Sequence, residues 1–243
     1  MKKTKPPRVK DSVKMRLFQA EADYADSIVR SALGDQEGSL AALKRALEWD
    51  PTYAPAILTL GSIEYQRRRR AQGRKLFQSL VSLPETTPDL FEIIDEAATF
   101  LVDFRAYQDG LALFRAAAER FPSVAAFHEG VCWAASKLRL YDQALAAAER
   151  SLQLEPGTQK YVNNLGWALF EAGRLEQAQT ELERAVSMDP ADELARENLR
   201  LCRAEIAKRS EESGATLNPP PVRPRRRPKS AQSSRIRDGK VRI

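Results

Sequence analysis

The sequence predicts an all-α protein built as a helical-repeat solenoid, and two observations carry this prediction. The chain is rich in Ala, Leu, Glu and Arg, which have high helix propensity, and only 7% of its 243 residues are aromatic. Prolines also recur at a fixed distance, because Pro122, Pro156 and Pro190 are separated by 34 residues, twice. A repeat of this length is typical of helix pairs that bury their apolar faces by stacking on their neighbours.

The same register divides most of the chain into five units. Two earlier prolines, Pro51 and Pro84, are separated by 33 residues, and Pro84 precedes Pro122 by 38 residues. Within each unit, apolar residues recur at helical spacing on both sides of a break, and each proline is expected to end the second helix. The predicted units are 20–53, 54–86, 91–124, 125–158 and 159–192, followed by a capping helix at 191–210.

The last unit resembles the tetratricopeptide repeat (TPR), which is 34 residues long and carries Leu-Gly, Ala and Pro at fixed positions. The other units depart from the motif in places. Gly73 stands where the second unit would have Ala, and Asp26 and Ser27 replace Leu-Gly in the first unit. The matching residues of the last unit are Val162, Leu165, Gly166, Leu169, Ala178, Leu182, Ala185 and Pro190.

The resemblance implies a right-handed solenoid of about five TPR helix pairs and a C-terminal capping helix, spanning residues 12–210. One position is small in four units, where two helices are expected to approach closely. The residues at this position are Gly61, Ala98, Cys132 and Gly166.

Charge separates the two ends of the chain from its body. Residues 1–16 carry seven Lys or Arg and one Asp, and residues 211–243 carry nine Lys or Arg and three acidic residues, so that each end has a net charge of +6. The remaining residues have a net charge of −6. The sequence therefore predicts an acidic helical body with a disordered basic head at 1–11 and a disordered Pro/Arg-rich tail at 211–243.

No residue pattern indicates catalysis, a cofactor or a metal site. His128 is the single histidine and is expected to be a core or half-buried side chain. Cys132 is expected to be a packed, inert thiol, and Cys202 is the second of two cysteines, too few for a disulfide framework. We therefore expect a cytoplasmic protein that is not an enzyme.

A run of four arginines, 67–70, lies in the predicted turn of the second unit. It fits a solvated turn, and it also fits a patch that contacts phosphate or an acidic peptide. The sequence leaves both interpretations open.

The resemblance implies that the first helices of the units line a concave groove in which TPR proteins bind partners. Trp133 and Trp167 occupy the same position of successive units. They are interpreted as groove residues, although packing between adjacent first helices is an alternative role. The predicted groove residues are Trp133, Trp167, Phe170, Asn163, Glu129, Asp95, Asp103 and Tyr65.

The groove composition predicts the chemistry of the partner. TPR domains that clamp a C-terminal carboxylate use basic and amide residues in three successive repeats, but here only Lys160 and Asn164, in one repeat, match. An acidic groove with two tryptophans favours a basic or amphipathic protein segment instead. The identity of the partner and the oligomeric state remain open.

An alternative function is an adaptor for nucleic acid or another polyanion that works through the basic tails. Its contacts would be electrostatic and independent of base sequence. A related hypothesis is that residues 222–229 occupy the acidic groove when no partner is bound. The candidate polyanion contacts are Arg223, Arg225, Arg226, Arg227 and Lys229.

Overall fold

The computed structural model describes the backbone of residues 9–217 and the side chains of residues 13–212. The described part consists of eleven helices joined by short turns, with no strand. The helices are α1 (Val9–Ala32), α2 (Gln36–Trp49), α3 (Ala54–Gln66), α4 (Arg70–Val81), α5 (Leu90–Asp103), α6 (Tyr107–Arg120), α7 (Ala125–Lys137), α8 (Tyr141–Leu154), α9 (Gln159–Glu171), α10 (Leu175–Met188) and α11 (Glu193–Leu217).

The predicted helical-repeat solenoid is confirmed, with five helix pairs, α1–α2 to α9–α10, followed by α11. Two helices are longer than predicted, because α1 begins at Val9 and α11 continues to Leu217. Within the described part, residues 9–206 belong to one compact unit and the helical residues 207–217 to a second. The predictions for residues 1–8 and 218–243, including the basic contacts at Arg223, Arg225, Arg226, Arg227 and Lys229, lie outside the described residues.

Each helix pair turns through one residue in the left-handed backbone conformation. This residue is Gly34 in the first pair and Gly173 in the last, with φ of 83° and 77°. In the three middle pairs it is Arg68, Arg105 or Arg139, with φ between 59° and 64°. A side chain with a Cβ costs about 1 kcal/mol in this conformation, so the middle turns hold mild backbone strain that the two glycines avoid.

The predicted close approach of paired helices is seen at Gly166. A Cβ at this position would lie 2.7 Å from Leu182 Cγ and 3.1 Å from the Leu182 backbone nitrogen. At the equivalent position of the second pair, a Cβ on Gly61 would lie 2.6 Å from the Phe77 ring. The small residue therefore allows a large side chain of the second helix to pack directly on the first helix.

Stacking joins the pairs into one core that runs from Ala54 to Cys202. Aromatic rings contribute contacts between successive pairs, such as Phe77 against Phe100, with centroids 5.9 Å apart, and Phe91 against Phe127, also 5.9 Å apart. No helix of the described part has both the length and the apolar composition to cross a membrane. Because each pair buries its apolar face against its neighbours, the first helices of successive pairs lie side by side and form the walls of a groove.

Candidate functional site

A groove with a volume of about 380 Å³ lies across α5, α7 and α9. Aromatic, acidic and amide side chains from these first helices face it. Its lining includes Asp95 and Thr99 from α5, Glu129, Cys132, Trp133, Ser136 and Lys137 from α7, and Asn164, Trp167 and Glu171 from α9.

The two tryptophans line this groove one repeat apart. Both are half-buried, so each exposes part of its ring. Trp133 packs against the main core, and Trp167 packs its ring on Phe170 at a centroid distance of 5.0 Å. Each indole therefore combines a packed part with a part open to the groove, and the ring on which Trp167 packs, Phe170, belongs to the same helix.

Three carboxylates in the groove have different surroundings. Glu129 is neutralised, because Lys160 Nζ donates to it at 2.7 Å and Asn164 Nδ2 donates at 3.1 Å. Burial raises the pKa of Asp95, and the nearby negative charge of Glu129 raises it further.

Glu171 holds the third carboxylate, at the end of α9. Its Oε2 atom is shielded from solvent and has no hydrogen-bond partner among the described residues. A shielded carboxylate oxygen without a donor is unfavourable, so this atom is suited to accept a hydrogen bond from a bound ligand.

The sequence did not indicate Glu171 as a groove residue, because helical repeats carry many surface acids. One signal was available in its position. Glu171 lies four residues after Trp167, so both side chains lie on one face of α9.

Four predicted groove residues are not part of this lining, and one of them, Phe170, packs on Trp167. Tyr65 is 1% exposed and its hydroxyl donates to Asp109 Oδ2 at 2.6 Å. Asn163 is 4% exposed, and its Oδ1 accepts a hydrogen bond from Asn198 Nδ2 of α11 at 3.0 Å. Asp103 is exposed at the last residue of α5 and is not part of the groove lining.

The environment of Tyr65 explains its burial. Its ring makes edge-to-face contacts with Phe100 and Phe104, at centroid distances of 6.1 and 5.5 Å. Burial, followed by the hydrogen bond to Asp109, raises the pKa of Tyr65 to about 12. Tyr65 therefore fixes α3 to the next pair.

The arginine run is engaged within the chain. Arg67 donates to Glu37 at 2.8 Å, and Arg69 pairs at 3.3 Å with Glu64, whose side chain is fully buried. The Arg70 guanidinium lies 5.7 Å from the centroid of the Tyr65 ring. Three of the four arginines thus have structural partners, which favours the interpretation as a turn over the interpretation as a free anion-binding patch.

The cysteines and the histidine lie in packed surroundings. Both cysteines are free and buried. Burial, with the negative charges of Glu171 and Glu129, raises the pKa of Cys132 to about 12, which keeps the thiol protonated and unreactive. His128 is half-buried, with Nε2 3.2 Å from the Pro122 carbonyl oxygen. No group of His, Cys, Asp or Glu within residues 13–212 is arranged to hold a metal ion.

A family model described as tetratricopeptide repeat matches residues 135–202. No curated protein matches the sequence.

Solved structures with similar folds include YrrB, described as a TPR protein with an unusual peptide-binding site. YrrB is 19% identical, with 76% of this chain and 94% of YrrB covered and a TM-score of 0.50. MamA from Desulfovibrio magneticus RS-1 is 15% identical, with 72% of this chain and 97% of MamA covered and a TM-score of 0.51. At these identities the likeness establishes the fold alone.

Proposed function

We propose that this chain, a tetratricopeptide-repeat protein, is a non-enzymatic interaction scaffold that binds a basic or amphipathic segment of another protein in the groove of α5, α7 and α9. The observation that carries the proposal is the combination of two half-exposed tryptophans with the unpartnered, shielded Oε2 atom of Glu171 in one groove. The groove lining offers contact area and hydrogen-bond acceptors but no activated nucleophile, which favours a binding function over a catalytic one.

The charge of the groove favours a cationic ligand. Lys160 neutralises Glu129, whereas Glu171 Oε2 has no donor and Asp95 is partly desolvated. A guanidinium or ammonium group that donates to Glu171 would satisfy this oxygen, and its positive charge would also stabilise the ionised form of Asp95. Lys137 also lines the groove, which favours a ligand that places its cation toward Glu171 rather than toward Lys137.

The tryptophans supply the apolar part of the recognition. Aromatic side chains at the centre of an interface contribute much of the binding energy, and an indole face attracts a cation within about 6 Å. The aliphatic stem of Arg or Lys, or an apolar neighbour in an amphipathic segment, would pack against Trp133 and Trp167. YrrB, which shares the fold, is described as having a peptide-binding site, so a peptide ligand suits this architecture.

The experiment is a comparison of synthetic peptide libraries, one of basic amphipathic 12-mers and one in which each Lys or Arg is replaced by Glu. The full chain is immobilised, and binding is quantified by titration of the selected peptides. We expect binding from the basic library only and at least about a tenfold loss of affinity for Glu171→Gln, because the amide lacks the negative charge.

Two controls keep the result specific. Trp49→Ala removes a tryptophan that is 44% exposed on α2, outside the groove, and should leave affinity unchanged. A chain ending at residue 217 should bind as the full chain does, which separates the groove from the basic tail. Selection of acidic peptides, or equal binding by wild type and Glu171→Gln, would contradict the proposal.

We also propose a cytoplasmic location, since two cysteines are too few for a disulfide framework.

A further inference from the structure

The shielded oxygen of Glu171 lies where α7 and α9 meet. Glu171 follows Trp167 by four residues on one face of α9, so the indole and the carboxylate are neighbours. Burial raises the pKa of Cys132, on α7, to about 12, and the negative charge of Glu171 raises it further, so this carboxylate also lies close to α7. Trp133 follows Cys132 directly and lines the same groove. A ligand group that reaches Glu171 Oε2 therefore comes close to the indole rings of both helices.

The groove already contains an ammonium group, and that group leaves the shielded oxygen unpartnered. Lys137 follows Trp133 by four residues, as Glu171 follows Trp167, so Lys137 and Glu171 occupy the same position of successive repeats. Both residues line the groove. Lys137 is exposed, and Glu171 Oε2 accepts no hydrogen bond from it or from any other described residue. The compact, strongly hydrated head of this lysine therefore stays in solvent and keeps its water.

We propose that the groove selects arginine over lysine, because the guanidinium of one arginine in the bound segment donates to Glu171 Oε2 while its flat face packs on an indole of the groove. This inference rests on the proposed function and names the residue type that the groove recognises. A guanidinium is planar and more weakly hydrated than an ammonium. It can therefore stack on an aromatic ring and donate in its own plane to a carboxylate, and it loses less hydration at a shielded oxygen.

The other acceptors of the lining also fit a guanidinium better than an ammonium. An ammonium carries three N–H donors on one nitrogen, and each needs an acceptor once the group leaves water. The charge of Glu129 is already neutralised, because its two oxygens accept hydrogen bonds from Lys160 and Asn164. Glu171 and the hydroxyl of Ser136 are further side-chain acceptors of the lining on α7 and α9. A guanidinium can use these two and direct its remaining N–H groups to solvent, since they spread outward in one plane.

Four synthetic libraries of amphipathic 12-mers, which differ only in their basic residue, test this preference on the immobilised full chain. The residue is arginine, lysine, trimethyl-lysine or citrulline, which has nearly the shape of arginine without its charge. We expect the arginine library to bind at least about tenfold more tightly than each of the others, because a hydrogen bond between charged groups is lost in all three. Trimethyl-lysine is the most informative competitor, since its charge attracts an indole but it has no N–H for Glu171.

Variants of the groove connect this preference to the shielded oxygen. In Glu171→Gln, an arginine peptide and its citrulline counterpart should bind within about threefold of each other, while circular dichroism keeps the wild-type helix signal. Glu149→Gln is the matched control and should keep the full arginine preference, because Glu149 is exposed on α8 and lies outside the groove lining. Lys137→Ala removes a positive charge from the groove and should tighten binding of the arginine peptide by about two- to threefold.

The possible results separate this inference from the proposed function. If the lysine or trimethyl-lysine library binds as tightly as the arginine library, the arginine preference is wrong, although a basic ligand in the groove still stands. An arginine preference of unchanged size in Glu171→Gln would also overturn the inference, because recognition would then depend on another group. Absence of binding by all four libraries would overturn the proposed function and this inference together.

Discussion

The first and last helix pairs share one motif but are held together differently. At the position of close approach, the last pair has Gly166, on which Leu182 packs directly, whereas the first pair has Ser27, whose hydroxyl donates to the Tyr24 carbonyl oxygen at 2.6 Å. The first pair adds ion pairs instead, with Arg45 at 2.8 Å from the Asp23 carboxylate. The repeat register thus determines where the helices lie, and the small-residue position determines how tightly they interlock.

The two pairs also differ in the surfaces that they leave open. The last pair places Trp167 and Glu171 in a groove shared with α5 and α7. The first pair exposes Phe18 and Val29, which lie on the side of α1 opposite to the buried Ala20 and Ser27. One architecture therefore offers two kinds of exposed surface, a polar aromatic groove and an apolar helix face.

The largest effect is expected where the last pair interlocks. Gly166→Leu should lower the free energy of unfolding by roughly 1–3 kcal/mol or more, since Leu182 and its backbone leave no space for a side chain. Urea denaturation followed by circular dichroism measures this loss. The reciprocal change in the first pair, Ser27→Gly, should cost less than about 1 kcal/mol. If the two variants lost equal free energy of unfolding, the small-residue position would have the same importance in both pairs.

A second effect concerns the contact between the last pair and α11. Asn163→Ala leaves the buried amide of Asn198 without its acceptor and should lower the free energy of unfolding by roughly 1–3 kcal/mol. Affinity for a groove peptide should stay within about twofold of wild type, because Asn163 does not line the groove. A large loss of affinity with unchanged stability would instead mean that Asn163 contacts the ligand.

The middle pairs should respond to relief of backbone strain. Arg105→Gly is expected to raise the free energy of unfolding by roughly 0.5–1 kcal/mol, because Arg105 has φ of 60° and glycine adopts this conformation freely. Gly173→Ala in the last pair is the matched opposite and should destabilise by a similar amount. Thermal melts of the two variants would contradict this account if both shifted in the same direction.

The smallest effect is a pH dependence of groove binding. Burial raises the pKa of Asp95, so this carboxylate takes up a proton at a higher pH than an exposed Asp and the groove then loses negative charge. Affinity for a basic peptide should fall roughly two- to fivefold as the pH is lowered from about 7 through this pKa. The same titration with Asp95→Asn should lack this decrease, and an unchanged decrease would assign it to another group.

Much of the fold was predictable because it depends on local pattern. The prolines at 34-residue spacing and the small residues at Gly61 and Gly166 predicted the helix pairs and their close contacts. The groove was partly predictable for the same reason, since Trp133 and Trp167 repeat in register. Glu129 and Asp95 were also predicted to lie there.

The remaining residues depend on contacts that a repeat pattern does not contain. Asn163 does not line the groove, because its side chain accepts a hydrogen bond from Asn198, which lies beyond the last repeat. Tyr65 is buried, and its hydroxyl donates a hydrogen bond to Asp109, which lies 44 residues later in the chain. Glu171 has a surface-like sequence context, and only the packing around it shields one of its oxygens.

The central claim is that Trp167 contributes more to ligand affinity than to folding stability. The variant Trp167→Ala tests this claim, because both quantities can be measured on it. The free energy of unfolding and the affinity for a basic peptide selected from the library are measured on the same preparation. The account predicts at least about a tenfold loss of affinity and a loss of stability below about 1.5 kcal/mol, since the indole is half-exposed and one face packs on Phe170. A loss of stability above about 3 kcal/mol, the cost of removing a fully buried tryptophan, with affinity of the folded fraction unchanged, would contradict it.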